Sequence, residues 1–491
     1  MTFLTILLHR DGVNPMRPET LEALSAIVGE NNLSTRAADL YTYGFDASIH
    51  HRSPEVIVRP RTTAEVSEVV KLARREKVPI VPRGAGTGLC GSAVPLMGGI
   101  VMDMTRMNTI KEVRVGDLYC VVEAGVVYDR LNERLAPFKF FFPTSPGSAE
   151  ACTIGGMVAN NASGMRAIKY GATRDYVLGL EVVLSDGSVM RVGTNTIKNS
   201  SGYQLERLFV GSEGTLGIIT EVTLRIAPKP KRQCMIMAAF DSLEAAGTCV
   251  SELIATPVLP SATELMDRTC IQAVNKTIGS GLPDCEALCM IEVDGEPEVV
   301  EREMGLVTKV AERVGAISVE ATSDPKTMAR WTNARKSVMS ALSRFGERFV
   351  SVSLADDMAV PISRIPAAVK AFQEIAARND VVIGTYGHAA DGNLHTKMLV
   401  DPMSEDSWRH AEMAVGEIYE IVLKLGGTVT GEHGVGISKA PYFQMERASA
   451  LGTMVAIKKA LDPDNIFNPG KMQDWEGGII RHLRYPCSDL K

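Results

Sequence analysis

The sequence lacks a surplus of positive charge, paired cysteine motifs and long apolar runs. Its 491 residues carry a formal net charge of −6, which gives no electrostatic footprint for nucleic-acid binding. Nine cysteines are scattered along the chain, and the closest pair, Cys285 and Cys289, has no second pair at zinc or iron–sulfur spacing. This cysteine pattern favours reduced thiols in a cytosolic protein. The apolar start, Met1 to Leu8, is too short for a membrane span or a signal peptide. We therefore expect a cytoplasmic protein, with peripheral attachment to the inner face of the membrane left open.

The chain is also too long for one core, so its length predicts two or three domains. Pro228 to Lys231 alternate proline and lysine and predict a linker. Before it, the pattern predicts a helix over Pro18–Val28, then a strand–helix–strand unit whose helix spans Thr63–Glu76 and is capped by Thr62 or Thr63. After it, strands alternate with helical segments, which is typical of an α+β fold.

A glycine-rich loop, Arg83 to Gly91, follows the strand–helix–strand unit. Gly86 to Gly91 matches the G-x-G-x-x-G pattern of nicotinamide dinucleotide binding, but that pattern must open a helix. Only Ser92 to Gly99 separate it from the next predicted strand, and they include Pro95, so no helix fits. A loop of this kind still binds phosphate through its backbone N–H groups.

Two more stretches of small residues, Thr153 to Gly164 and Gly211 to Ile219, lie in the same half of the chain. One such stretch alone is as well explained by a crowded turn. Three of them together favour a dinucleotide cofactor whose flat ring packs against backbone.

The second half contains Gly387 to His395 and, downstream, Gly431 to Gly434. Asp391-Gly392 predicts a two-residue hairpin turn that places His388 opposite His395. Opposed side chains are about 5 Å apart at Cβ, a workable separation for two imidazoles on one metal ion. Glu432 would complete the set, and three of the eight histidines of the chain fall in these two turns. The clustering predicts a metal-assisted active site.

These motifs, taken in order, resemble the vanillyl-alcohol oxidase family of flavoproteins. The three glycine stretches and Tyr170 to Asp175 resemble its FAD-binding domain of the p-cresol methylhydroxylase type. The second-half turns and Asp462 to Lys471 resemble its C-terminal FAD-linked oxidase domain. Within the family, the motifs are most similar to those of D-lactate dehydrogenases, the catalytic subunit of glycolate oxidase and D-2-hydroxyglutarate dehydrogenase.

The resemblance implies a fold class and a domain order. We expect an α+β protein with a two-part FAD-binding domain over residues 21–230 and an α+β substrate- and metal-binding domain over residues 231–474. Residues 1–20 would be an extension and residues 475–491 a tail.

The resemblance also implies which residues bind FAD. Arg83 to Gly88 would bind the diphosphate, the region from Pro143 to Gly164 would line the flavin, and Asn468 would approach the ring from the second domain. The expected cofactor-binding residues are Arg83, Gly84, Ala85, Gly86, Thr87, Gly88, Pro146, Gly147, Thr153, Gly156, Asn160, Gly164, Gly214, Ile219 and Asn468. Some relatives attach FAD through a histidine in the first loop. This chain has no histidine between His51 and His388, so we expect non-covalent FAD.

For the chemistry, the resemblance implies that His388, His395 and Glu432 bind a divalent ion, with Zn²⁺ expected first and Mn²⁺ or Fe²⁺ as alternatives. His433 would be the general base and Arg335 would bind the substrate carboxylate. The implied reaction is oxidation of a small 2-hydroxy acid, with FAD accepting the hydride.

The substrate and the electron acceptor are less well defined. Hydroxyglutarate enzymes of the family carry a lysine just before the segment that matches Asp357 to Pro361, where this chain has Ala355-Asp356. This difference favours D-lactate or glycolate over D-2-hydroxyglutarate. Without an iron–sulfur motif, electrons would pass to a quinone, an electron-transfer flavoprotein, a cytochrome or a separate iron–sulfur subunit, and a homodimer stays open.

Two rival functions remain. An alditol or phenol oxidase, or an alkyl ether lipid synthase, shares the domain pair without needing the histidine pair. A non-catalytic assembly subunit would need neither the complete glycine loops nor the metal ligands.

Overall fold

A computed structural model describes residues 16–346 and 348–472. The predicted tail lies outside these residues, as does most of the predicted extension. Nineteen strands are described: β1 Leu33–Ser34, β2 Val56–Val58, β3 Ile80–Arg83, β4 Ile100–Asp103, β5 Ile110–Arg114, β6 Tyr119–Glu123, β7 Phe140–Phe141, β8 Val177–Val183, β9 Val189–Gly193, β10 Ile218–Arg225, β11 Ala227–Pro228, β12 Arg232–Phe240, β13 Ala262–Asp267, β14 Ala287–Gly295, β15 Ser318–Thr322, β16 Val350–Val352, β17 Asp356–Ala359, β18 Val382–His388 and β19 Asn393–Val400.

Sixteen α-helices are described in the same ranges. They are α1 Pro18–Val28, α2 Ala37–Tyr43, α3 Thr63–Glu76, α4 Tyr128–Leu135, α5 Ile154–Asn160, α6 Ala167–Tyr170, α7 Glu206–Phe209, α8 Leu243–Ile254, α9 Arg268–Ile278, α10 Pro297–Val314, α11 Pro325–Lys336, α12 Val338–Leu342, α13 Ile365–Arg378, α14 Glu405–Lys424, α15 Ala440–Glu446 and α16 Ala448–Leu461. None of the helices in the described ranges has the length and apolar character needed to span a membrane.

The N-terminal part, residues 16–230, is built on two main sheets. The first has the order β1-β2-β4-β3, with β2, β4 and β3 parallel, and the second is the antiparallel sheet β5-β6-β10-β8-β9. Helix α3 forms over the predicted residues because its valines recur on one buried face and Thr62 caps it, accepting a hydrogen bond from the N–H of Glu65. As expected, no helix lies between β3 and β4, so the glycine loop is an irregular connection.

The C-terminal part, residues 231–472, is built on one antiparallel sheet with the order β15-β12-β14-β13-β18-β19-β16, to which β17 is added by pairing with β19. Alternation along β12 sends Ile236 to one apolar cluster and Met237 to the other, so helices cover both faces of the sheet. The larger cluster packs against α8, α10, α13 and α14. The smaller one packs against α9, α11 and α12, and the candidate site lies on this face. The mixed helix-and-sheet architecture confirms the predicted α+β class.

Candidate active site

One cavity of about 710 Å³ brings together the three glycine stretches and the second-half histidines. Its size is in the range of cofactor and ligand sites in proteins. Of the expected site residues, it is lined by Arg83, Gly84, Ala85, Gly86, Thr87, Gly88, Pro146, Gly147, Thr153, Gly156, Asn160, Gly214, Ile219, Arg335, His388, His395, Glu432 and His433. Gly164 and Asn468 are not among the lining residues.

The first glycine loop leaves β3 and is closely packed. A Cβ at Gly84 would collide with Oγ1 of Thr153, and one at Gly86, whose φ is +70°, would collide with the guanidinium of Arg83. The same guanidinium packs against Gly86 and donates a 2.9 Å hydrogen bond to the carbonyl oxygen of Phe45. Glycine at these positions lets the loop backbone line the cavity without displacing these two side chains, and this is the kind of surface that a diphosphate needs.

The second stretch contains a short helix, α5, that the sequence analysis did not predict. Thr153 caps it, accepting a hydrogen bond from the N–H of Gly156. Gly155 lies against Ala124, where a Cβ would come within 2.6 Å of the methyl carbon. Gly164, with φ +155°, packs on the carbonyl of Ser145. The stretch therefore presents small residues and backbone to the cavity, and its shape fits a flat cofactor.

Asn468 lies next to the cavity wall. Its side-chain amide donates hydrogen bonds to the carbonyl oxygens of Ser92, at 2.9 Å, and Glu213, at 2.8 Å. The side chain is 1% exposed and joins the C-terminal segment to the N-terminal part.

The predicted register of the histidine hairpin was wrong. His388 pairs with Asn393, and His395 pairs with Tyr386. The connection has four residues, because Ala389–Asp391 form one 3₁₀ turn and Gly392 closes it with φ +83°. The register differs by two residues, an even number, so both imidazoles stay on the same face of the sheet as predicted. Their ring centroids are 5.3 Å apart.

The two histidines converge with Glu432. Oε1 of Glu432 lies 3.3 Å from Nε2 of His388 and 3.7 Å from Nε2 of His395. Three such ligand atoms, all within 4.8 Å of one another, have the composition of a divalent-metal site with open positions.

Carboxylates behind the two imidazoles support this interpretation. Nδ1 of His388 lies 2.6 Å from Oε1 of Glu264, and Nδ1 of His395 lies 3.2 Å from Oδ1 of Asp356. Metal-binding histidines commonly donate their second N–H to a carboxylate, which fixes the tautomer and leaves the other nitrogen for the ion. Burial lowers the pKa of His388, but Glu264 and Glu432 outweigh burial and raise it well above the usual range. The site thus favours positive charge, and the residues present fit a divalent ion.

His433 stacks on His395, with ring centroids 5.2 Å apart. Its Nδ1 lies 3.7 Å from a carboxylate oxygen of Asp356 and 3.7 Å from one of Asp357. Its Nε2 lies 3.8 Å from Oε1 of Glu432, which is the expected metal ligand. With Glu432 engaged by an ion, the two aspartates would favour a proton on Nδ1 and leave Nε2 with its lone pair. Burial nevertheless lowers the pKa of His433 below its usual value, so the ring is neutral at neutral pH. This is the state that a general base needs.

Arg335 extends from α11 into the cavity. Its Nε lies 2.5 Å from Oε2 of Glu264, and its guanidinium lies 4.6 Å from the ring centroid of Tyr386. Glu264 therefore contacts both Arg335 and His388. Burial raises the pKa of Glu264, but these two neighbours outweigh burial and lower it to about 2.

Several residues of the site were not identified from the sequence. Glu264 lies on β13, Lys397 follows His395 on β19 and pairs with Asp356, and Lys439 donates a 2.8 Å hydrogen bond to Asp357. From the sequence, Asp356 with Ala355 marks only a departure from the hydroxyglutarate pattern, and its contact with His395 comes from the pairing of β17 with β19. No local pattern marks Glu264, because its partner His388 is 124 residues away.

Comparison with known proteins matches two parts of the chain to flavoprotein families. Residues 54–193 match the family described as FAD binding domain, and residues 229–472 match FAD linked oxidases, C-terminal domain. The chain is 40% identical over 454 residues to glycolate oxidase subunit GlcD of Bacillus subtilis, covering 92% of this chain and 96% of that one. It is 34% identical over 458 residues to the mitochondrial D-lactate dehydrogenase [cytochrome] of Arabidopsis thaliana, covering 92% and 80%.

Among solved structures, the fold is similar to that of 4-ethylphenol oxidase from Gulosibacter chungangensis. The TM-score is 0.77 with 18% identity, covering 93% of this chain and 97% of that one. At this identity the similarity concerns the fold alone.

Proposed function

Because this chain belongs to the FAD-linked oxidase family, we propose that it oxidises a small D-2-hydroxy acid, D-lactate or glycolate, to the 2-oxo acid. One observation carries the proposal: the His388, His395 and Glu432 ligand set lies in the same cavity as the three glycine stretches. The names of the relatives, which include glycolate oxidase and D-lactate dehydrogenase, agree with this substrate class.

The glycine stretches would hold FAD non-covalently, and His388, His395 and Glu432 would hold the divalent ion. When bound, FAD supplies a two-electron acceptor and the ion supplies a Lewis acid that makes the substrate hydroxyl more acidic. The histidines that line the cavity are His388, His395 and His433, all from the C-terminal part, and our assignment of each leaves none for attachment to the flavin.

The side chains of the protein perform the remaining steps. Arg335 binds the substrate carboxylate through its terminal nitrogens, since its Nε is engaged by Glu264. His433 accepts the hydroxyl proton at Nε2, and its Nδ1–H stays directed at the two aspartates. The 2-oxo acid then leaves, and the electrons pass to an acceptor other than oxygen, for which a quinone, an electron-transfer flavoprotein, a cytochrome or an iron–sulfur subunit is suitable.

The nature of the cavity cations favours a monocarboxylate. Lys397 is 1% exposed, and its ammonium group forms an ion pair with Asp356. Two other cations line the described cavity beside Lys336. The guanidinium of Arg83 donates a hydrogen bond to the carbonyl oxygen of Phe45, and Arg335 is assigned to the 1-carboxylate of the substrate. Lys336 is exposed, so it offers a second carboxylate only a solvent-screened contact.

A substrate panel with an artificial dye acceptor tests the proposal. The purified protein should contain FAD and a divalent metal and should reduce the dye with D-lactate or glycolate. A strong preference for D-2-hydroxyglutarate would contradict the substrate assignment. Dye reduction by phenols or alditols in a metal-free protein would contradict the proposed function as a whole.

A further inference from the structure

The loop that carries Glu432 and His433 is held by two buried carboxylates, one from each part of the chain. We call residues 430–436 the site loop. Asp357, from the C-terminal part, accepts hydrogen bonds from the backbone N–H groups of Gly431, Glu432 and His433 at 2.8–3.2 Å. Glu213, from the N-terminal part, accepts hydrogen bonds from Val435 at 2.6 Å and Gly436 at 2.8 Å.

Both carboxylates are placed by uncommon backbone conformations. Glu213 has φ +51° and Asp357 has φ +75°, in the left-handed region that residues with a side chain rarely adopt. Glu213 is 5% exposed and Asp357 is fully buried. Such conformations persist where the surrounding contacts require them, and they concentrate at functional sites.

Glu213 belongs to the third glycine stretch, and with Gly214 it lines the cavity. Its own N–H donates a 2.8 Å hydrogen bond to the carbonyl of Ala159, at the end of α5. From the same helix, the side-chain amide of Asn160 donates to the carbonyl oxygen of His433 at 3.3 Å. The cavity wall that would face the flavin is therefore joined directly to the backbone of the site loop.

We propose that Glu213 is a positioning residue that couples FAD binding to the metal and base site. FAD in the cavity would order the third glycine stretch, and Glu213 would transmit this order to the site loop and so to Glu432 and His433. The inference rests on the proposed function. By linkage, FAD should then strengthen metal binding, and metal should strengthen FAD binding by the same factor.

The test measures Zn²⁺ affinity by calorimetry in FAD-free and FAD-loaded protein. In the wild-type protein we expect FAD to raise the Zn²⁺ affinity about tenfold, within the usual range of coupling between two sites. Glu213→Gln keeps the shape of the side chain but places an amide N–H₂ against a backbone donor, so the FAD effect should fall to about twofold or less. Ser92→Ala removes a 2.6 Å hydrogen bond to Glu213 and should reduce the effect to an intermediate value.

Glu181→Gln is the matched control. Glu181 is also a buried carboxylate of the N-terminal part, but its partners, Thr63, Thr220 and Arg191, lie in that same part. In the Glu181→Gln variant, FAD should still raise the Zn²⁺ affinity about tenfold. Equal Zn²⁺ affinity with and without FAD in the wild-type protein, or an undiminished effect in Glu213→Gln, would overturn the inference alone. If the wild-type protein bound neither FAD nor Zn²⁺, the proposed function would fail as well.

Discussion

At the scale of single residues, His433 is the most direct test of the chemistry. Asparagine at this position keeps some hydrogen bonding but has no basicity near neutral pH, and general-base catalysis is typically worth about 10²–10⁴-fold. His433→Asn should retain FAD and metal yet reduce its flavin at least about a hundredfold more slowly with D-lactate or glycolate in stopped-flow measurements.

The pH profile provides a second measurement on the same variant. His433 acts when deprotonated, so the parent rate should fall as the pH drops through the pKa of this group. Because burial lowers that pKa, the fall should lie below the ordinary histidine value of about 6.5. In the variant this acidic limb should disappear. Metal content must be measured in the same samples, since Glu432 is adjacent. A variant with its metal intact and a rate within a few-fold of the parent would exclude His433 as the base.

Arg335 tests substrate recognition. Lysine keeps the charge but loses the planar fork that binds a carboxylate through two parallel hydrogen bonds. Arg335→Lys should raise KM about tenfold or more and lower kcat less, as measured by dye reduction. Lys336→Ala, on the exposed neighbouring residue, is the control, and its kcat/KM should stay within about threefold. A large loss in Lys336→Ala instead would indicate a substrate with a second carboxylate.

At the scale of secondary-structure elements, the 3₁₀ turn of the histidine hairpin can be tested separately from its ligands. Gly392 has φ +83°, and a Cβ there would collide with the carbonyl oxygen of Val360. Gly392→Ala should therefore cost more than about 1 kcal/mol of unfolding free energy and should reduce metal content. Gly305→Ala is the matched control, because Gly305 lies inside α10 and a Cβ there would meet nothing within 4 Å. The Gly305→Ala variant should gain about 0.5–1 kcal/mol of unfolding free energy, measured by urea denaturation. Equal effects of the two substitutions would contradict this interpretation of the turn.

The same hairpin shows where prediction from sequence ends. Helices with a regular apolar face and clear ends, such as Pro18–Val28 and Thr63–Glu76, were predicted to the residue. The hairpin was placed correctly but given the wrong register, since Asp-Gly fits a two-residue turn as well as the end of a 3₁₀ turn. Only the pairing of β18 with β19 distinguishes the two, and it depends on contacts along the whole strands.

At the scale of the whole molecule, sequence motifs indicated which residues belong to the site but did not show what supports them. The glycine stretches and both histidine turns were identified locally. Glu264, Glu213 and Asp357 act through partners more than 70 residues away in the chain. The roles of Glu264 and Asp357 depend on packing within the C-terminal part, and the role of Glu213 depends on the packing of the two parts. The residues that support the expected metal ligands were therefore not predictable from local motifs, whereas the motifs did point to His388, His395 and Glu432, which the structure brings together.

The contact between the two parts of the chain gives the last prediction. Asp294, on β14, is 1% exposed; its Oδ1 accepts a 2.5 Å hydrogen bond from Nζ of Lys169, and its Oδ2 accepts a 2.8 Å hydrogen bond from the hydroxyl of Tyr170. Asp294→Ala leaves the hydroxyl of the half-buried Tyr170 and the 23%-exposed lysine without this acceptor, at a cost of about 1–3 kcal/mol after allowance for solvent. Because both parts line the cavity, FAD should dissociate more readily from this variant, which fluorescence titration would measure as a weaker Kd. Lys231→Ala removes a 2.8 Å pair with Glu296 in which both side chains are more than half exposed, and it should leave the FAD Kd within about twofold. A similar FAD Kd in both variants would mean that the contacts of Asp294 with Lys169 and Tyr170 do not stabilise the cavity.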